Sequence, residues 1–475
     1  MFDSTVYIRR RAALLANMQQ AGQHGIMIFA GNDDLPSQGS ASSVFRFRQD
    51  SAWAYFFGVD RPLWAAIVDI DSGEEKLYAD DVDIDDIVWM GPQVPVCEMA
   101  AGAGIAATAP AAKWYEDVRA AMAKGRRVHF LPTMRDGNIQ RIVRATGYPY
   151  DAVRTTAAGE GAHASEELIK AVVALRLIKE DCEIEELDAV GELGFQMHEL
   201  VRKAIAPGVY EDEISAAMEH FAKKTGWGLS FETILSQHGE TLHNCARHTP
   251  IAADRLVVVD AGVESHSHYA SDHTRTYPAT GKFTQKQRDI VQIVSDCNQL
   301  AFSLTRPGIT YREVHLATVR LMLERLKDLG LVHGDVDEMQ AAGIGGLFMP
   351  HGLGHNMGMD VHDMEEYGEN YVGYDPDQTR AKQLGLGNLR MARVLRPGHV
   401  ITDEPGIYFI PALIEQFKRD GIGLNFVNYK ALEGYYDFGG VRIEDDVLVT
   451  PEGARLLGKR RLPASPDEVE EAMKH

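Results

Sequence analysis

The sequence predicts a two-domain protein in which a smaller α/β domain precedes a larger α+β domain. The chain has 475 residues, which is more than a single hydrophobic core usually serves. Helix-like and strand-like segments alternate in the first third, whereas the end of the chain is rich in strands. Between these regions lies the small, polar run 155–164, and Ser165 is a residue type that caps helices. We therefore predict domains at 1–165 and 166–475.

The N-terminal domain shows the alternation that is typical of an α/β fold. Apolar spacing predicts an amphipathic helix over 7–20, and short apolar runs predict strands over 25–30, 64–70 and 127–131. A further helix follows Asn138, whereas the Ala- and Gly-rich run 99–112 predicts a loop or a weak helix.

The second domain begins with helices and ends with strands. Helical spacing predicts a long helix over 166–206, which stops at Pro207-Gly208. It also predicts three more helices and three strands: helices over 211–225, 285–304 and 311–329, and strands over 255–261, 400–410 and 440–450. The strands look antiparallel, which gives an α+β pattern.

The charge of the chain narrows the classes of partner. The formal net charge is −21, so most of the surface would repel nucleic acid or an anionic membrane, and we expect neither as a partner.

The sequence contains no run of about 18 apolar residues, so it predicts no membrane-spanning helix. The four cysteines are widely spaced, without a disulfide or zinc pattern, which suits a reducing compartment, so we expect a cytoplasmic protein.

A second group of observations concerns acidic residues in apolar surroundings. Asp260 ends the apolar run 256–259, and a carboxylate there is costly unless a cation or a donor compensates it. Asp272 follows twelve residues later on a plausible hairpin partner strand. Five potential ligands have such settings: Asp260, Asp272, His355, Glu404 and Glu444.

Each of these residues has an ordinary structural explanation when it is considered alone. Asp272 could belong to a turn, and Glu444 could pair with Arg442 on a surface strand. Brought together, however, four carboxylates would repel one another severely unless cations bind between them. Four carboxylates and one imidazole suit hard or borderline divalent ions such as Mn²⁺ or Co²⁺. The set therefore predicts a site for two metal ions, which could ionise a bridging water.

Five segments in order carry a resemblance to a known family: VVVDAG, ASDHTRTY, HGLGH with DVHD, TDEPGIYF and GGVRIEDD. They resemble the "pita-bread" metallopeptidases, which include methionine aminopeptidase, aminopeptidase P, prolidase and the metal-free creatinase. Segment 43–74 resembles the N-terminal domain of the proline-specific branch, so the likeness covers essentially the whole chain. It implies a pita-bread catalytic domain preceded by a creatinase-type N-terminal α/β domain, and Xaa-Pro peptide-bond hydrolysis by a metal-bridging hydroxide.

The resemblance also implies roles for the five ligands. Asp260 would bind one metal ion, His355 and Glu404 the other, and Asp272 and Glu444 both. Manganese is the expected ion, with cobalt or zinc as alternatives. Creatinase-like loss of the metals is excluded because all five ligands are present.

Further residues are carried over from the family as catalytic or substrate-binding. Glu404 would also shuttle the proton, while His351 and His362 would contact the substrate and stabilise the intermediate. His243 would lie near the scissile bond, although His238 and His248 are close in sequence and either could be the functional histidine instead. Arg442 would orient a bridging carboxylate and the substrate.

One residue favours a dipeptidase over an aminopeptidase. Prolidases carry an arginine fourteen residues before the metal-binding glutamate, and Arg390 stands there. It would bind the terminal carboxylate of a dipeptide, so the expected substrate is a small peptide with proline in second position. The alternatives are that Arg390 and Arg393 pair with surface acids, and that the chain is an aminopeptidase P that acts on longer peptides.

More distant alternatives and some departures also follow from the resemblance. A non-catalytic peptide-binding module of this fold would have lost ligands, and a metal-storage site would not need the three histidines. Relatives form homodimers or homotetramers, so we expect a homo-oligomer. Phe231 stands where relatives have a metal-site tyrosine, and Asp403 replaces the valine of the usual TVEPG.

Overall fold

The computed structural model describes residues 2–39, 42–154 and 163–474, and the chain divides into two compact units. The first comprises Met1–Arg176 and Met364–Val372, and the second comprises Leu177–Asp363 and Gly373–His475. The division falls one helix beyond residue 165, because the helix Glu166–Arg176 packs against the first helix of the chain. Most of the run 155–164 lies outside the described residues.

The first unit is built from short helices and a mixed sheet. Its strands are β1 (Ile26–Ala30), β2 (Ala65–Asp69), β3 (Glu75–Tyr78), β4 (Thr108–Ala109) and β5 (Val128–His129). Its helices before residue 130 are α1 (Ser4–Gln20), α2 (Ser51–Phe57), α3 (Ile84–Met90), α4 (Val96–Gly102) and α5 (Ala111–Ala123). Those after it are α6 (Asp136–Thr146), α7 (Tyr150–Arg154), α8 (Glu166–Arg176) and, from the separate segment, Glu369–Val372.

The sheet of this unit has the strand order β4-β3-β2-β1-β5. β1 pairs antiparallel with β2 and parallel with β5, so the sheet is mixed. The apolar strand IMIFA is buried at its first four residues, because helices of the unit cover it. The predicted strand 127–131 is only two residues long, and the run 99–112 contributes parts of α4 and α5 with β4 between them.

The predicted long helix over 166–206 is two helices, α8 and α9 (Asp181–Ala204). The prediction was wrong at residues 177–180, where the backbone makes other contacts. The N–H of Lys179 donates to the carbonyl of Gly398, and Lys179 forms a buried ion pair of 2.8 Å with Asp363. Glu180 and Glu183 then form a capping box that starts α9. Tertiary contacts therefore override a continuous helical pattern here.

The second unit contains the remaining elements. Its first part has α9, α10 (Glu211–Thr225), β6 (Gly228–Leu229), β7 (Ile234–Ser236), β8 (Leu256–Ala261), β9 (Val263–Glu264) and β10 (His273–Pro278). Its middle part has α11 (Gln285–Leu304), α12 (Tyr311–Asp328), α13 (Val336–Ala341) and α14 (Gly345–Phe348). The next helix along the chain, α15 (Glu369–Val372), is the one already described in the first unit. Its last part has β11 (Val400–Asp403), β12 (Gly406–Tyr408), α16 (Pro411–Arg419), α17 (Tyr429–Leu432), β13 (Gly440–Arg442), β14 (Asp445–Thr450), β15 (Gly453–Leu456) and α18 (Pro466–Ala472).

Two helix pairs and a set of small antiparallel sheets form this unit. α9 packs against α10 and α11 against α12, and the sheets have the orders β10-β8-β7, β11-β14-β15 and β12-β13. A large apolar core joins helix faces to the buried strands, including Val257, Val259 and Ile407. The α+β class predicted for this part of the chain is confirmed.

The predicted strands 400–410 and 440–450 each break into two. Residues 400–403 pair with β14, whereas residues 406–408 pair with β13, so the strands change partners in the middle. Pro405 contributes to the break because it has no backbone N–H for a ladder. Glu404 and Glu444 lie at these two breaks, between the paired segments.

Among residues 2–39, 42–154 and 163–474, every helix is too short or too polar to cross a lipid bilayer.

Candidate metal centre

Strand register brings three of the predicted ligands together. Thr274 of β10 pairs with Asp260 of β8 on one side, and it forms a β-bridge with Glu444 on the other. Asp272 precedes Thr274 by two positions, so its side chain points to the same face of the strand. Three carboxylates therefore surround Thr274, whose hydroxyl donates to Glu444 Oε2 at 2.6 Å.

His355 reaches the same place on a glycine-rich loop. Its N–H donates to the Thr402 hydroxyl, and its carbonyl accepts the N–H of Thr402. A Cβ at Gly354 would lie 2.0 Å from the Thr402 carbonyl oxygen, so only glycine allows this approach. Packing against β11 therefore requires the second glycine of HGLGH, whereas the first, Gly352, packs against the backbone of Asn388 and Leu389.

The orientation of the His355 ring suits a metal ligand. Its Nδ1 lies 3.0 Å from the Asn356 carbonyl, which can only accept, so the hydrogen is on Nδ1. The unprotonated Nε2 then faces two carboxylates, Asp272 Oδ2 at 3.5 Å and Glu404 Oε1 at 3.8 Å. One ligand atom each of Asp272, His355 and Glu444 lie within 4.8 Å of one another, and all three residues are buried.

Charge and hydrogen bonding indicate that this cluster suits a bound cation. Burial, and then the charges of neighbouring carboxylates, raise the pKa of Asp272 and Glu444 well above their ordinary values. Burial likewise raises the pKa of Glu404. Among the described residues, Asp260 Oδ1 and Asp272 Oδ1 are buried without a hydrogen-bond partner. Divalent cations would satisfy these oxygens and neutralise the charge, so the residues fit a metal centre.

Arg442 connects the cluster to a neighbouring histidine. Its Nη2 donates to Asp260 Oδ2 at 2.6 Å, and its Nη1 donates to the Tyr408 hydroxyl at 2.8 Å. That hydroxyl lies 2.9 Å from His351 Nε2, while His351 Nδ1 lies 2.7 Å from the Gly352 carbonyl. His351 therefore carries its hydrogen on Nδ1, which lies 3.7 Å from Glu404 Oε2. Burial and the charge of Arg442 lower the pKa of His351, so the ring is neutral.

The two other predicted histidines lie close to the same cluster. The rings of His362 and His355 meet edge to face with centroids 4.2 Å apart. Burial, and then the charge of Arg442, lower the pKa of His243, and Asp260 and His362 act on it as well. His243 therefore lies within electrostatic range of the cluster.

The alternatives to His243 point elsewhere. His238 Nδ1 contacts Glu240 Oε1 at 3.2 Å, and His248 Nδ1 contacts Asp212 Oδ2 at 3.0 Å. His248 also stacks on Tyr210. Each of these two rings contacts a different carboxylate, whereas His243 interacts electrostatically with Asp260.

Arg390 and Arg393 are engaged differently. Arg393 Nη1 donates to Asp375 Oδ1 at 2.9 Å, which is the surface-pair explanation considered for both arginines. Arg390 is half-buried, and its positive charge partly offsets the burial that raises the pKa of Glu404 and adds to the burial that lowers the pKa of His243. Arg390 therefore acts electrostatically on the cluster, whereas Arg393 is paired with Asp375.

Sequence reasoning missed Thr274, which donates to Glu444, and Tyr408, which lies between Arg442 and His351. Thr274 could have been found from strand alternation, because it follows Asp272 by two positions. The interactions of Tyr408 with Arg442 and His351 depend on segments that are distant in sequence and carry no local signal.

Comparison with known proteins agrees with this geometry. Residues 185–451 match metallopeptidase family M24, and residues 7–129 match the N-terminal domain of aminopeptidase P. The chain is 31% identical to the human Xaa-Pro dipeptidase over 472 residues, which covers 96% of this chain and 89% of the human protein. It is 29% identical to a probable Xaa-Pro aminopeptidase of Sordaria macrospora, over 89% of this chain and 86% of that protein.

The fold is shared with solved aminopeptidases. A zinc-substituted Escherichia coli aminopeptidase P in complex with product superimposes with a TM-score of 0.79 and 26% identity, over 100% of this chain and 99% of that one. Because family M24 matches more than half of the chain, and the dipeptidase is similar over nearly all of it, the assignment does not depend on one motif. The chain belongs to metallopeptidase family M24, in its proline-specific pita-bread branch, and is a metallopeptidase that cleaves Xaa-Pro bonds.

Proposed function

We propose that the protein is a Xaa-Pro dipeptidase that uses two divalent metal ions, with manganese as the preferred ion. The observation that carries the dipeptide preference is the position of Arg390, whose positive charge acts on both Glu404 and His243. A guanidinium there can bind the terminal carboxylate of a dipeptide, which a longer substrate lacks at that position.

Asp260 would hold one ion, His355 and Glu404 the other, and Asp272 and Glu444 both. The short distances within the Asp272, His355 and Glu444 group and the partnerless oxygens of Asp260 and Asp272 support this division. When bound, the two ions would supply the Lewis acidity that ionises water at neutral pH and polarises the peptide carbonyl.

The chain's own residues would orient the substrate and move the proton. Glu404 is the most exposed of the carboxylate ligands, with 19% of its side chain accessible, so it can reach both the water and the departing proline nitrogen. His362, beside His355, would donate to the developing oxyanion, and neutral His351 would contact the substrate from the side of Glu404.

His243, Arg390 and Arg442 would bind the peptide. His243 is exposed, as a side chain that meets an incoming substrate should be. Arg442 is buried and hydrogen-bonded to Asp260, so it would orient this ligand and the substrate beside it. Proline suits such a pocket because its tertiary amide has no N–H that would need an acceptor.

A second candidate is an aminopeptidase P that cleaves longer peptides. Its support is the similarity of the whole chain to the solved aminopeptidases, over 100% of its length. In that case Arg390 would not contact a terminal carboxylate, and its removal would leave the cleavage of tripeptides unchanged.

The test compares Mn²⁺-loaded enzyme on Ala-Pro and on Ala-Pro-Ala, with EDTA-treated enzyme as the blank. We expect cleavage of the dipeptide in preference to the tripeptide. Arg390→Met should raise KM for Ala-Pro about 10- to 100-fold, which corresponds to one charge-assisted hydrogen bond. Arg396→Met is the matched control, because Arg396 is exposed near the same segment, and it should leave KM unchanged. Efficient tripeptide cleavage would favour the aminopeptidase.

We also propose that the protein is a cytoplasmic homo-oligomer, either a dimer or a tetramer. Within the part of the chain that the structure describes, no cysteine forms a disulfide, which suits a reducing compartment. α3 has no buried residue and exposes Ile84, Val88, Trp89 and Met90, of which Trp89 is 84% exposed. Such a patch is typical of a surface that another protein copy covers. Light scattering after size exclusion should give a multiple of 52.5 kDa, and a monomer would contradict the proposal.

A further inference from the structure

A buried carboxylate outside the ligand set holds the backbone of a ligand. Asp446 of β14 accepts the backbone N–H of Asp272 through Oδ2 at 3.0 Å. Asp446 is 1% exposed, and within the described residues its Oδ1 has no hydrogen-bond partner. This hydrogen bond joins β14 to the segment before β10, so it restrains the main chain at the position of Asp272.

A histidine that follows the ligand contacts the same oxygen. His273 Nε2 lies 3.5 Å from Asp446 Oδ2, and both side chains are 1% exposed. Asp446 Oδ2 is therefore close to two groups of consecutive residues, the N–H of Asp272 and the ring of His273.

The surroundings hold His273 in place. Phe195 packs against its ring with centroids 4.7 Å apart, and the ring of His198 lies near the His273 carbonyl, with Nε2 to oxygen at 2.9 Å. A Cβ at Gly194 would lie 2.8 Å from His273 Nδ1. Helix α9 therefore leaves space at Gly194 that the imidazole fills, and the ring has little freedom to move away from Asp446.

Asp445, the residue before Asp446, makes different contacts. Asp445 Oδ1 accepts from Arg275 Nη2 at 2.6 Å, and Asp445 Oδ2 lies 3.4 Å from Arg461 Nε. The positive charges of the region thus contact Asp445, and no Arg or Lys ion pair to Asp446 exists among the described residues. Asp446 contacts the metal-binding segment instead.

We propose that Asp446 is a positioning residue for Asp272, and that His273 keeps the Asp446 carboxylate in the orientation that this requires. Through the Asp272 backbone the pair sets the position of a ligand that two metal ions share, and hence the affinity for the more weakly bound ion. This inference rests on the proposed dinuclear site. Groups behind metal ligands commonly change metal affinity about 10- to 100-fold when they are removed.

The test measures Mn²⁺ binding, independently of catalysis. Metal-free enzyme is titrated with Mn²⁺, the free ion is followed by its electron paramagnetic resonance signal, and metal content is measured after dialysis. For wild type we expect two ions per chain. Asp446→Ala should raise Kd for the weaker site about 10- to 100-fold, and it should abolish the spin coupling that reports two ions sharing ligands. Asp446→Asn keeps an acceptor for the Asp272 N–H and should bind within about threefold of wild type.

His273→Leu tests the second part, with an expected loss of about tenfold in affinity. His129→Gln is the matched control, because His129 is fully buried in the first unit and contacts Ser165 and the His24 carbonyl. It should change stability without changing Mn²⁺ binding. If Asp446→Ala does not fold, the Mn²⁺ affinities of His273→Leu and Asp446→Asn still test whether Asp446 and His273 position Asp272.

The outcomes separate this inference from the proposed function. Two ions bound with unchanged affinity and unchanged spin coupling in both Asp446→Ala and His273→Leu would overturn the inference alone. A wild-type enzyme that binds fewer than two ions would overturn the proposed dinuclear site and the inference with it. Asp446→Asn binding as weakly as Asp446→Ala would also overturn it, because the charge and not the backbone contact would then matter.

Discussion

The carboxylates proposed to bind metal, here called the inner group, and the side chains proposed to face the substrate, the outer group, lie on different kinds of backbone. Asp260, Asp272 and Glu444 are 7%, 4% and 2% exposed, and they lie on or directly beside paired strands. His243, His362 and Arg390 lie in segments between helices and strands, where no regular pairing holds them. Under the proposed function, paired strands position the groups that carry out the reaction, whereas the connecting segments position the groups that select the peptide.

Strand pairing fixes the positions of the inner-group side chains relative to one another. In a sheet, a shift by one residue would turn every side chain to the opposite face, so the register of β8 and β10 decides whether Asp260 meets Thr274. The outer group has no such restraint. Loop segments vary more among relatives than paired strands do, and the similar proteins carry both dipeptidase and aminopeptidase names.

The largest effect should come from removing one inner ligand. Glu444→Gln keeps the size of the side chain but removes the charge that two ions would share. We expect kcat/KM for Ala-Pro to fall about 10³-fold or more, because the loss of metal assistance costs several kcal/mol of transition-state stabilisation. Metal content should fall below two ions per chain by mass spectrometry. Retention of both ions and full activity would show that Glu444 is not a ligand.

A smaller effect is expected from the outer group. His362→Asn removes a donor beside His355 without altering a carboxylate ligand. We expect kcat for Ala-Pro to fall about 10²-fold, the usual consequence of losing one oxyanion donor. Metal content should remain at the wild-type value, which distinguishes this variant from Glu444→Gln. Parallel loss of metal and activity would place His362 in the inner group instead.

The strand that precedes Glu404 offers a stability test. Asp403 is 1% exposed, and among the described residues both its carboxylate oxygens are buried without a hydrogen-bond partner. Burial and then the charge of Asp445 raise its pKa well above the ordinary value. Asp403→Val should therefore stabilise the metal-free protein by about 1–3 kcal/mol in urea unfolding. Asp403→Asn, which removes the charge but keeps polar atoms, should gain less. A loss of stability in the valine variant would contradict this account.

The smallest effect concerns a buried histidine of α12. Burial lowers the pKa of His315 to about 4 from an ordinary 6.5. Between pH 6.5 and pH 4 this histidine is protonated in the unfolded chain but not in the folded chain. Protonation of the unfolded chain therefore lowers the free energy of unfolding as the pH falls from 6.5 towards 4, and it has no such effect above pH 6.5. In His315→Gln the free energy of unfolding should fall less steeply over this range, by at most about 1.4 kcal/mol per pH unit. Identical slopes in urea unfolding at several pH values would refute the assignment.

Local patterns predicted the helices better than the strands. α10 and α11 have the bounds that the sequence predicts, 211–225 and 285–304, because apolar spacing and capping residues act within one helix. The segments 400–410 and 440–450 were predicted as single strands and are two each. Their breaks depend on which strand each half pairs with, and partners far away in sequence leave no mark on the local pattern.

The sequence by itself predicted the five candidate ligands, and its resemblance to the pita-bread metallopeptidases predicted the reaction class that the comparisons support. Asp260, Asp272, His355, Glu404 and Glu444 are unusual where they stand, because carboxylates in apolar strands are costly without a cation. Only the tertiary structure decided how they meet. Thr274 between Asp260 and Glu444, Tyr408 between Arg442 and His351, and Asp446 behind Asp272 are contacts across many residues of chain. Such contacts are set by strand pairing and close packing, which act between segments and not along them.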